Sequence, residues 1–361
     1  MNQFTMPSRF YTDAAYFDVE KGQIFHKTWQ DVGHISSLAK PGDFLTVRIA
    51  DENILITRDE EGTLHGFYNV CRHRAHPVAS GCGNKRLFVC PYHAWSYRLN
   101  GKLQAAPNSE NVGGFCKSDI ALTEVRLETL AGFIFVNLDK DAKSLNETYP
   151  GVEEAVLKAC PNLPEMELAF EDRFEHRCNW EVSLENFNEC YHCAVVHKFL
   201  TTQLYAAETY RADISGNVVK HFLARIRDRE THGDLHCWYL WPNVAIELFP
   251  MHRSVSLRHI SADGPVSTTY SYSWFIDPNL SEEAKAEVNS LCKQYVETTA
   301  NEDAEIVEAV QVGLNSKAYD TGPLMISEEI TPSSEHAIAH FQALHRDAIA
   351  PALAEAEQVP A

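Results

Sequence analysis

Two short runs that combine cysteine with histidine lie in the first third of the chain. The first is Cys71-Arg72-His73, and 16 residues later the second is Cys90-Pro91-Tyr92-His93. Two thiolates and two imidazoles suit either a tetrahedral zinc ion or a Rieske [2Fe–2S] cluster. Zinc fingers usually pair like ligands within a run, whereas each run here supplies one Cys and one His. This mixed pairing favours the two-iron cluster, in which two Cys bind one iron and two His bind the other.

A second group of possible metal ligands has the spacing E-x2-H-x4-H and consists of Glu189, His192 and His197. Non-haem Fe(II) oxygenases bind iron through two His and one carboxylate and leave other positions open. Glu189 and His192 are three residues apart and would share one face of a helix. His192 and His197 would diverge by about 140° on a regular helix. The spacing therefore predicts that the helix ends, or contains a π-bulge, between the two histidines.

Two other interpretations of this segment remain open. Either histidine can be a buried, hydrogen-bonded core residue, as many histidines are. Cys190 and Cys193 flank His192 and raise the possibility of a zinc site. That possibility is weak, because both cysteines are so near His192 in the chain that all three could hardly converge on one ion.

Hydrophobic periodicity supplies a candidate for the carboxylate ligand. Ile306, Val307 and Val310 form an apolar stripe, and Asp303 lies on that stripe at helical spacing. A carboxylate on an apolar face is costly unless it is paired or binds a metal. The alternative is a buried aspartate that caps or pairs within the core. The neighbouring acids lie off the stripe and are predicted to be solvated; they are Glu302, Glu305 and Glu308.

The stretches Asn69–Arg74 and Cys90–Trp95 match closely the cluster motifs of the Rieske non-haem iron oxygenases. The chain therefore resembles the oxygenase (α) component of that family. The pattern Glu302-Asp303, followed by Gln311-x-Gly313-Leu314, is also similar to the family pattern. The resemblance implies a [2Fe–2S] cluster bound by Cys71, His73, Cys90 and His93, and a mononuclear Fe(II) bound by His192, His197 and Asp303.

The resemblance also implies partners. It implies a homotrimer, or a dimer of trimers, in which the cluster of one subunit faces the iron of its neighbour. Glu189 of the adjacent chain would then join the His93 side of the cluster to His192 as an electron-transfer bridge. Electrons would come from NAD(P)H through a separate flavin and iron–sulfur reductase, because nothing in this chain resembles the G-x-G-x-x-G nucleotide fingerprint.

Three further stretches resemble one branch of the family, the enzymes that oxidise quaternary ammonium compounds such as carnitine, betaines and choline. They are Pro7–Thr12, Trp238–Asn243 and His336–Phe341. This resemblance implies O2-dependent oxidation next to nitrogen, by N-demethylation or C–N cleavage. The close alternative is an aromatic-ring or aryl-ether oxygenase of the same superfamily. An alternative from another class is a non-catalytic iron–sulfur electron carrier or a zinc-stabilised binding protein.

Trimethylammonium groups bind over aromatic faces. The predicted strand Leu235–Phe249 is rich in aromatic residues, and Tyr239, Trp241 and Phe249 are the candidates for substrate binding. Core packing is the competing explanation, because aromatic-rich strands are usually buried.

The elements that must position these residues fall into two groups. From about residue 42 to 139 the chain shows short strands, with a hairpin signal at Asn100-Gly101. The later part alternates between strands and helices, with a second hairpin signal at Asp263-Gly264. A long helix is predicted over Ser281–Gly313, weakened at Thr298-Thr299, and a final helix over Glu335–Ile349, before Pro351.

These patterns predict an α+β chain. We expect an N-terminal segment (1–28) on the catalytic domain, a small all-β Rieske domain (29–145), and a larger catalytic domain (146–361). The larger domain is expected to have an antiparallel sheet with flanking helices, in a helix-grip-like arrangement.

Composition excludes several classes of protein. The 361 residues carry a formal charge of −19, which argues against nucleic acid or an anionic membrane as the main partner. No apolar stretch approaches the roughly 20 residues of a membrane span, and the N-terminus has no signal-like apolar region. Ten cysteines are too few for a disulfide scaffold of this length. A reducing, cytoplasmic setting is therefore expected.

Overall fold

The computed structural model describes residues 3–226, 234–249 and 254–356. The chain forms two compact units. The smaller unit is Phe25–Leu145, and the larger unit combines Met1–Ile24 with Asn146–Ala361. The N-terminal segment therefore belongs with the larger unit, and the first junction falls at 24/25 where the sequence suggested 28/29.

The smaller unit is built from short strands in three antiparallel sheets, with the orders β4-β3-β2-β5, β6-β7-β8 and β1-β10-β9. The strands are β1 Gln30–His34, β2 Asp43–Ile49, β3 Glu52–Arg58, β4 Leu64–Tyr68, β5 Cys82–Asn84, β6 Phe88–Val89, β7 Ser96–Tyr97, β8 Leu103–Ala105, β9 Arg126–Leu130 and β10 Phe133–Asn137.

The hairpin predicted at Asn100-Gly101 is confirmed and connects β7 to β8. Gly101 has φ +76°, and a Cβ at this position would lie 2.5 Å from the ring of Phe67. Only glycine meets both conditions, so this turn depends on it. One strand was predicted from Thr129 to Leu138, but the structure has the hairpin β9–β10, which turns at Ala131 and Gly132, both with positive φ.

The larger unit contains one seven-stranded antiparallel sheet with the order β11-β17-β16-β15-β14-β13-β12. The strands are β11 Glu167–His176, β12 Tyr205–Ser215, β13 Val218–Arg225, β14 Leu235–Leu240, β15 Val244–Leu248, β16 Val255–Gly264 and β17 Ser267–Ile276. The predicted hairpin at Asp263-Gly264 is confirmed between β16 and β17, where Ile260 pairs with Tyr270.

The segment predicted as one strand over Leu235–Phe249 is a hairpin, which corrects the sequence interpretation. Strands β14 and β15 are separated by a turn at residues 241–243 that contains Pro242. Proline has no N–H to donate to a sheet, so it suits this turn better than a central strand.

Helices pack against this sheet, which confirms the α+β class with an antiparallel sheet and flanking helices. Helix α5 contacts β16 and β17, α7 and α8 contact β11, and α5 contacts α8. The helices are α1 Arg9–Thr12, α2 Ala14–Glu20, α3 Leu145–Thr148, α4 Val152–Ala159, α5 Trp180–Phe187, α6 Cys193–Val196, α7 Glu282–Tyr295, α8 Asn301–Leu314 and α9 His336–Ala356. No helix within the described ranges is long and apolar enough to cross a membrane.

Of two predicted helix features, the weak point at Thr298-Thr299 is confirmed and the stop before Pro351 is wrong. A π-helical segment, Val296–Ala300, separates α7 from α8 and contains the Thr298-Thr299 pair that was expected to weaken the helix. Helix α9 was expected to stop before Pro351 but continues through it to Ala356. A proline can be accommodated in a helix when neighbouring groups compensate for the lost hydrogen bond.

A buried polar cluster connects α5 to the N-terminal helix α2 and to the C-terminal helix α9. His345 Nε2 lies 2.9 Å from Glu20 Oε1 and also contacts Glu181, and Trp180 Nε1 donates to Glu20 Oε2 at 2.8 Å. All of these side chains are buried. Burial lowers the pKa of His345, but the contacts with Glu181 and Glu20 outweigh burial and raise it to about 10. His345 is therefore an imidazolium at neutral pH.

Replacing His345 by leucine leaves two buried carboxylates without their cation. We expect His345→Leu to lower the free energy of unfolding by about 3–5 kcal/mol at pH 7 in urea titrations. The wild-type contribution is present below the unfolded pKa of about 6.5 and is lost as pH rises through about 10. His340→Leu, on the same helix, removes one exposed hydrogen bond to Gly216 and should cost at most about 1.5 kcal/mol. Equal losses in the two variants would contradict this assignment.

Candidate metal centres

The two Cys/His loops of the smaller unit have the same backbone geometry. Ala75 donates its N–H to the carbonyl of Cys71, and Ala94 donates to that of Cys90, each at 3.0 Å. Both alanines adopt left-handed φ values, 59° and 57°. The two loops are therefore matched, and each presents its ligands in the same way.

The sulfurs face inward and the imidazoles face outward. Cys71 and Cys90 are buried at 3% and 2% exposure, and the Cys71 Sγ lies 3.2 Å from the hydroxyl of Tyr97. His73 and His93 are both exposed, with ring centroids 4.6 Å apart. This arrangement fits a cluster whose cysteine-bound iron is internal and whose histidine-bound iron reaches the surface of the unit.

The same donors do not fit a single zinc ion. A tetrahedral ion with bonds of about 2.0–2.3 Å needs its donor atoms within about 4 Å of one another. Among the described residues, sets of three ligand atoms within 4.8 Å of one another occur in the larger unit, and none involves these four side chains. Trp95 covers one face of the site, since its ring stacks on His73 with centroids 4.8 Å apart.

The second group of ligands lies where two short helices meet. Helix α5 ends at Phe187, a turn follows, and the single-turn helix α6 begins directly after His192 and ends directly before His197. The predicted interruption of the helix is present but lies earlier than expected, because α5 ends before His192 and the separate helical turn α6 lies between the two histidines. Glu189 lies in the turn and not on a helix face, contrary to expectation, yet its carboxylate still reaches His192 Nδ1.

Asp303, in the first turn of α8, brings its carboxylate to both histidines. Its Oδ1 lies 3.1 Å from His197 Nε2 and 3.5 Å from His192 Nε2, and the two Nε2 atoms are 3.0 Å apart. Asp303 Oδ1 is buried and has no hydrogen bond of good geometry. These three atoms are arranged around a common centre, which suits coordination of a metal ion better than direct hydrogen bonds among the three side chains. The residues thus suit an Fe(II) site of the two-His, one-carboxylate type.

The charges of the triad stabilise one another. Burial raises the pKa of Asp303, but contacts with the two histidines lower it to about 2. Burial lowers the pKa of His192, but contacts with Asp303 and Glu189 raise it to about 10. Asp303 is therefore a carboxylate at neutral pH, as a metal ligand must be.

The second nitrogen of each histidine is held by a glutamate. His192 Nδ1 contacts Glu189, and His197 Nδ1 lies 2.9 Å from Glu302 Oε2. Such outer partners orient the ring and select its tautomer. Glu302 was expected to be solvated, so this contact is a correction.

Two other features of α8 differ from the periodicity analysis. Glu308 was also expected to be solvated, but it forms an ion pair with Arg177 at 2.6 Å. Val310 is 46% exposed, whereas Val307 is buried. The buried stripe therefore continues from Val307 through Gln311, a polar residue that an apolar pattern does not identify.

A cavity adjoins the triad. Its aromatic lining consists of Phe187, Tyr210, Tyr270 and Tyr295. The predicted substrate residues lie elsewhere and do not line it: Tyr239, Trp241 and Phe249 are 1%, 5% and 0% exposed.

The packing explains why these three rings are not at the cavity. Tyr239 donates its hydroxyl to the carbonyl of Pro242 at 2.6 Å. Trp241 packs on Trp180 and Phe341, and Phe249 packs on Trp274. Core packing, the competing explanation, accounts for all three.

A buried ion pair also lines the cavity and was not found from the sequence. Arg258 Nε donates to Glu247 Oε2 at 2.8 Å, and its Nη2 donates to the Tyr295 hydroxyl at 2.8 Å. A signal was available, because Glu247 interrupts the apolar run of β15. A charge in such a run needs a partner on a neighbouring strand, and Arg258 lies on β16.

Matched Cys/His loops and a separate triad of two His and one Asp in a single chain define an oxygenase of the Rieske non-haem iron class. Two family models match: the Rieske [2Fe-2S] domain over residues 28–122, and the ring hydroxylating alpha subunit (catalytic domain) over residues 165–350. The chain belongs to the Rieske non-haem iron oxygenases, as an α-type oxygenase component with a [2Fe–2S] cluster and a mononuclear iron.

Related proteins share nearly the whole length of the chain. The carnitine monooxygenase oxygenase subunit of Escherichia coli K12 is 35% identical over 351 residues, covering 94% of this chain and 92% of the relative. That of Acinetobacter baumannii is 32% identical and covers 94% of each. The crystal structure of the quaternary ammonium Rieske monooxygenase CntA with L-carnitine superimposes with a TM-score of 0.87 at 31% identity, covering 96% of both chains.

The contact between Glu302 and His197 generates a prediction for metal retention. We expect Glu302→Gln to weaken mononuclear iron binding by about 10- to 100-fold, because the neutral amide holds the ring less strongly. The measurement is competition with a ferrous chelator, with the visible spectrum of the cluster as a check that the smaller unit is intact. Glu305→Gln, on the exposed face of the same helix, is the matched control and should bind iron normally. Unchanged affinity in Glu302→Gln would refute the role.

Proposed function

We propose that this oxygenase acts on a quaternary ammonium compound that also carries a carboxylate, and oxidises it next to nitrogen. N-demethylation would release formaldehyde, and C–N cleavage would release the amine. The observation that carries the proposal is the position of Arg258, a buried guanidinium in the cavity that adjoins the triad. The relatives named carnitine monooxygenase, and the CntA structures with L-carnitine and gamma-butyrobetaine, support it.

The charge of Arg258 favours a zwitterion over a simple cation. Its guanidinium lies 5.5 Å from the ring centroid of Phe187 and 5.2 Å from that of Tyr295, so the protein's own cation already occupies aromatic faces. A substrate carboxylate placed beside Arg258 would accept hydrogen bonds from the guanidinium, so an anion is favourable at this position. Because Glu247 already balances the charge of Arg258, the gain comes from the N–H donors of the guanidinium, which a cation without a carboxylate cannot use.

The other end of the cavity suits the ammonium group. The carboxylates of Glu189, Glu302 and Asp303 surround the two histidines. Tyr270 lines the same cavity as Arg258 and Asp303, and burial raises its pKa to about 12. A zwitterion lying along the cavity would thus place its N-methyl carbons at the triad.

When bound, the mononuclear iron supplies O2 activation with electrons that the cluster delivers. Within this chain, Glu189 and Glu302 orient the two imidazoles, and the aromatic lining of the cavity excludes water from the site. We further propose a homotrimer in which Glu189 carries the hydrogen-bonded link between the cluster of one subunit and the iron of the next. Its contact with His192, and the exposure of His73 and His93 on their unit, support this arrangement. One CntA structure is described in terms of inter-subunit electron transfer.

A separate reductase completes the proposed system. The cluster needs two electrons per turnover from NAD(P)H. The described residues hold the ligands of the two metal centres but form no nucleotide-binding fold. A flavin and iron–sulfur reductase is the proposed donor.

Substrate preference tests the proposal. With a suitable reductase, NADH and O2, we expect L-carnitine and γ-butyrobetaine to be oxidised with kcat/KM at least about tenfold above that of choline, which lacks the carboxylate. Formaldehyde and amine should be quantified alongside O2 uptake, so that uncoupled reduction is not counted as turnover. Turnover of aromatic acids alone would overturn the proposal in favour of an aryl oxygenase.

The Glu189 bridge gives a separate prediction. Glu189→Gln should retain the cluster, and with iron supplied in excess its product formation per bound mononuclear iron should fall by about 10- to 100-fold, since the amide cannot hold both rings as the carboxylate does. The direct measurement is a single turnover: cluster oxidation in the pre-reduced variant, followed after adding O2 and substrate, should slow to the same extent. Normal cluster oxidation would exclude the bridge, whatever the substrate.

A further inference from the structure

The Cys-Tyr-His-Cys run that resembled a zinc motif contains a disulfide in the structure. Cys190 and Cys193 are joined, with Cα atoms 4.9 Å apart. The other eight cysteines are all free, so the cross-link is confined to the four-residue loop that contains the iron ligand His192.

Stability alone gives this disulfide little reason to exist. A cross-link stabilises a fold mainly by restricting the unfolded chain, and the effect is smallest for the shortest loops. Disulfides that occur in cytosolic proteins are usually transient, catalytic or redox-sensing. The C-x-x-C spacing is that of dithiols that open and close reversibly.

The position of the disulfide gives it access to small reagents. Both sulfur-bearing residues are 5–6% exposed, and both line the cavity that adjoins the triad. A peroxide or a small thiol that enters the cavity therefore reaches the pair without unfolding of the protein.

The disulfide also bears directly on His192. The loop from Cys190 to Cys193 contains this ligand, and the N–H of Cys193 donates to the carbonyl of Cys190 at 3.2 Å. Two restraints act on the ring: the contact of Nδ1 with Glu189, and the closed loop beneath it. Opening the loop removes the second restraint and leaves the ring less well aligned with His197 and Asp303.

We propose that Cys190 and Cys193 form a reversible dithiol–disulfide site that adjusts how firmly the mononuclear iron is held. In the oxidising direction, the two thiols reduce one hydrogen peroxide to two waters and form the S–S bond. In the reducing direction, two molecules of a small thiol such as glutathione break the bond, yielding two cysteine thiols and one oxidised disulfide. The closed loop retains iron when peroxide is present, and the open loop exchanges it more readily.

The redox state is measured first, by sequential alkylation of the holoenzyme. Thiols are blocked under denaturing acid-quenched conditions, the disulfide is then reduced, and a second label marks the new thiols. One tryptic peptide, from Cys178 to Lys198, contains both cysteines and the free Cys178 as an internal standard. After peroxide treatment, Cys178 should carry the first label and the pair the second. First label on all three cysteines after peroxide would overturn the proposal.

The consequence for iron is measured by chelator-driven release. Reduction with a phosphine that is then removed should speed release of the mononuclear iron by about tenfold. The double variant Cys190→Ser/Cys193→Ser should release iron at the fast rate and not respond to peroxide. Cys237→Ser, which changes a free cysteine in the same cavity, is the control and should respond as wild type does.

A cluster spectrum equal to that of wild type shows that each variant is folded. The consumption of hydrogen peroxide, one molecule for each disulfide formed, can be measured in parallel. Equal release rates for the oxidised, reduced and double-serine proteins would overturn the proposal even if the disulfide forms. Neither measurement depends on the substrate, so failure of the proposed function would leave this inference open to its own test.

Discussion

The structure of the larger unit depends on bringing one partly buried carboxylate to two imidazoles, of which one is buried and the other partly buried. His192 and His197 flank a single helical turn, whereas Asp303 lies more than a hundred residues further along the chain. Charged groups of this kind are costly inside a protein unless they pair or bind a metal. The fold supplies the geometry by packing α8 against both α5 and the edge strand β11, so that the first turn of α8 meets the turn after α5.

The residues that the sequence identifies well are those whose role is set by local spacing. Cys71, His73, Cys90 and His93 stand in two short loops, and the five-residue spacing of His192 and His197 indicated that no single regular helix carries both ligands. Asp303 required one further step, namely a carboxylate on an apolar stripe. The hairpins at Asn100-Gly101 and Asp263-Gly264 follow from backbone preferences alone.

Features that depend on contacts between distant elements could not be obtained in this way. Periodicity places Glu302 off the apolar stripe, but only the packed structure shows that it meets His197. Strands β11 and β12 were missed because both are half-exposed and carry charged residues, so their apolar alternation is weak. The segment Leu235–Phe249 shows the opposite error, because its aromatic residues were predicted to bind substrate and are instead packed in the core. Aromatic content predicts burial more reliably than it predicts ligand binding.

The charges around the cavity set the direction in which a zwitterion can lie. Near the triad, the carboxylates of Glu189, Glu302 and Asp303 together carry one negative charge more than a divalent iron would neutralise. At the other end, Glu247 already balances the charge of Arg258, but the guanidinium still presents N–H donors and a local positive field. An ammonium group is therefore favoured at the iron and a carboxylate at Arg258. With the opposite orientation, the substrate carboxylate would lie among three protein carboxylates. For the proposed zwitterionic substrate, the same electrostatics would place the N-methyl carbons, and not the acid end, at the mononuclear iron site.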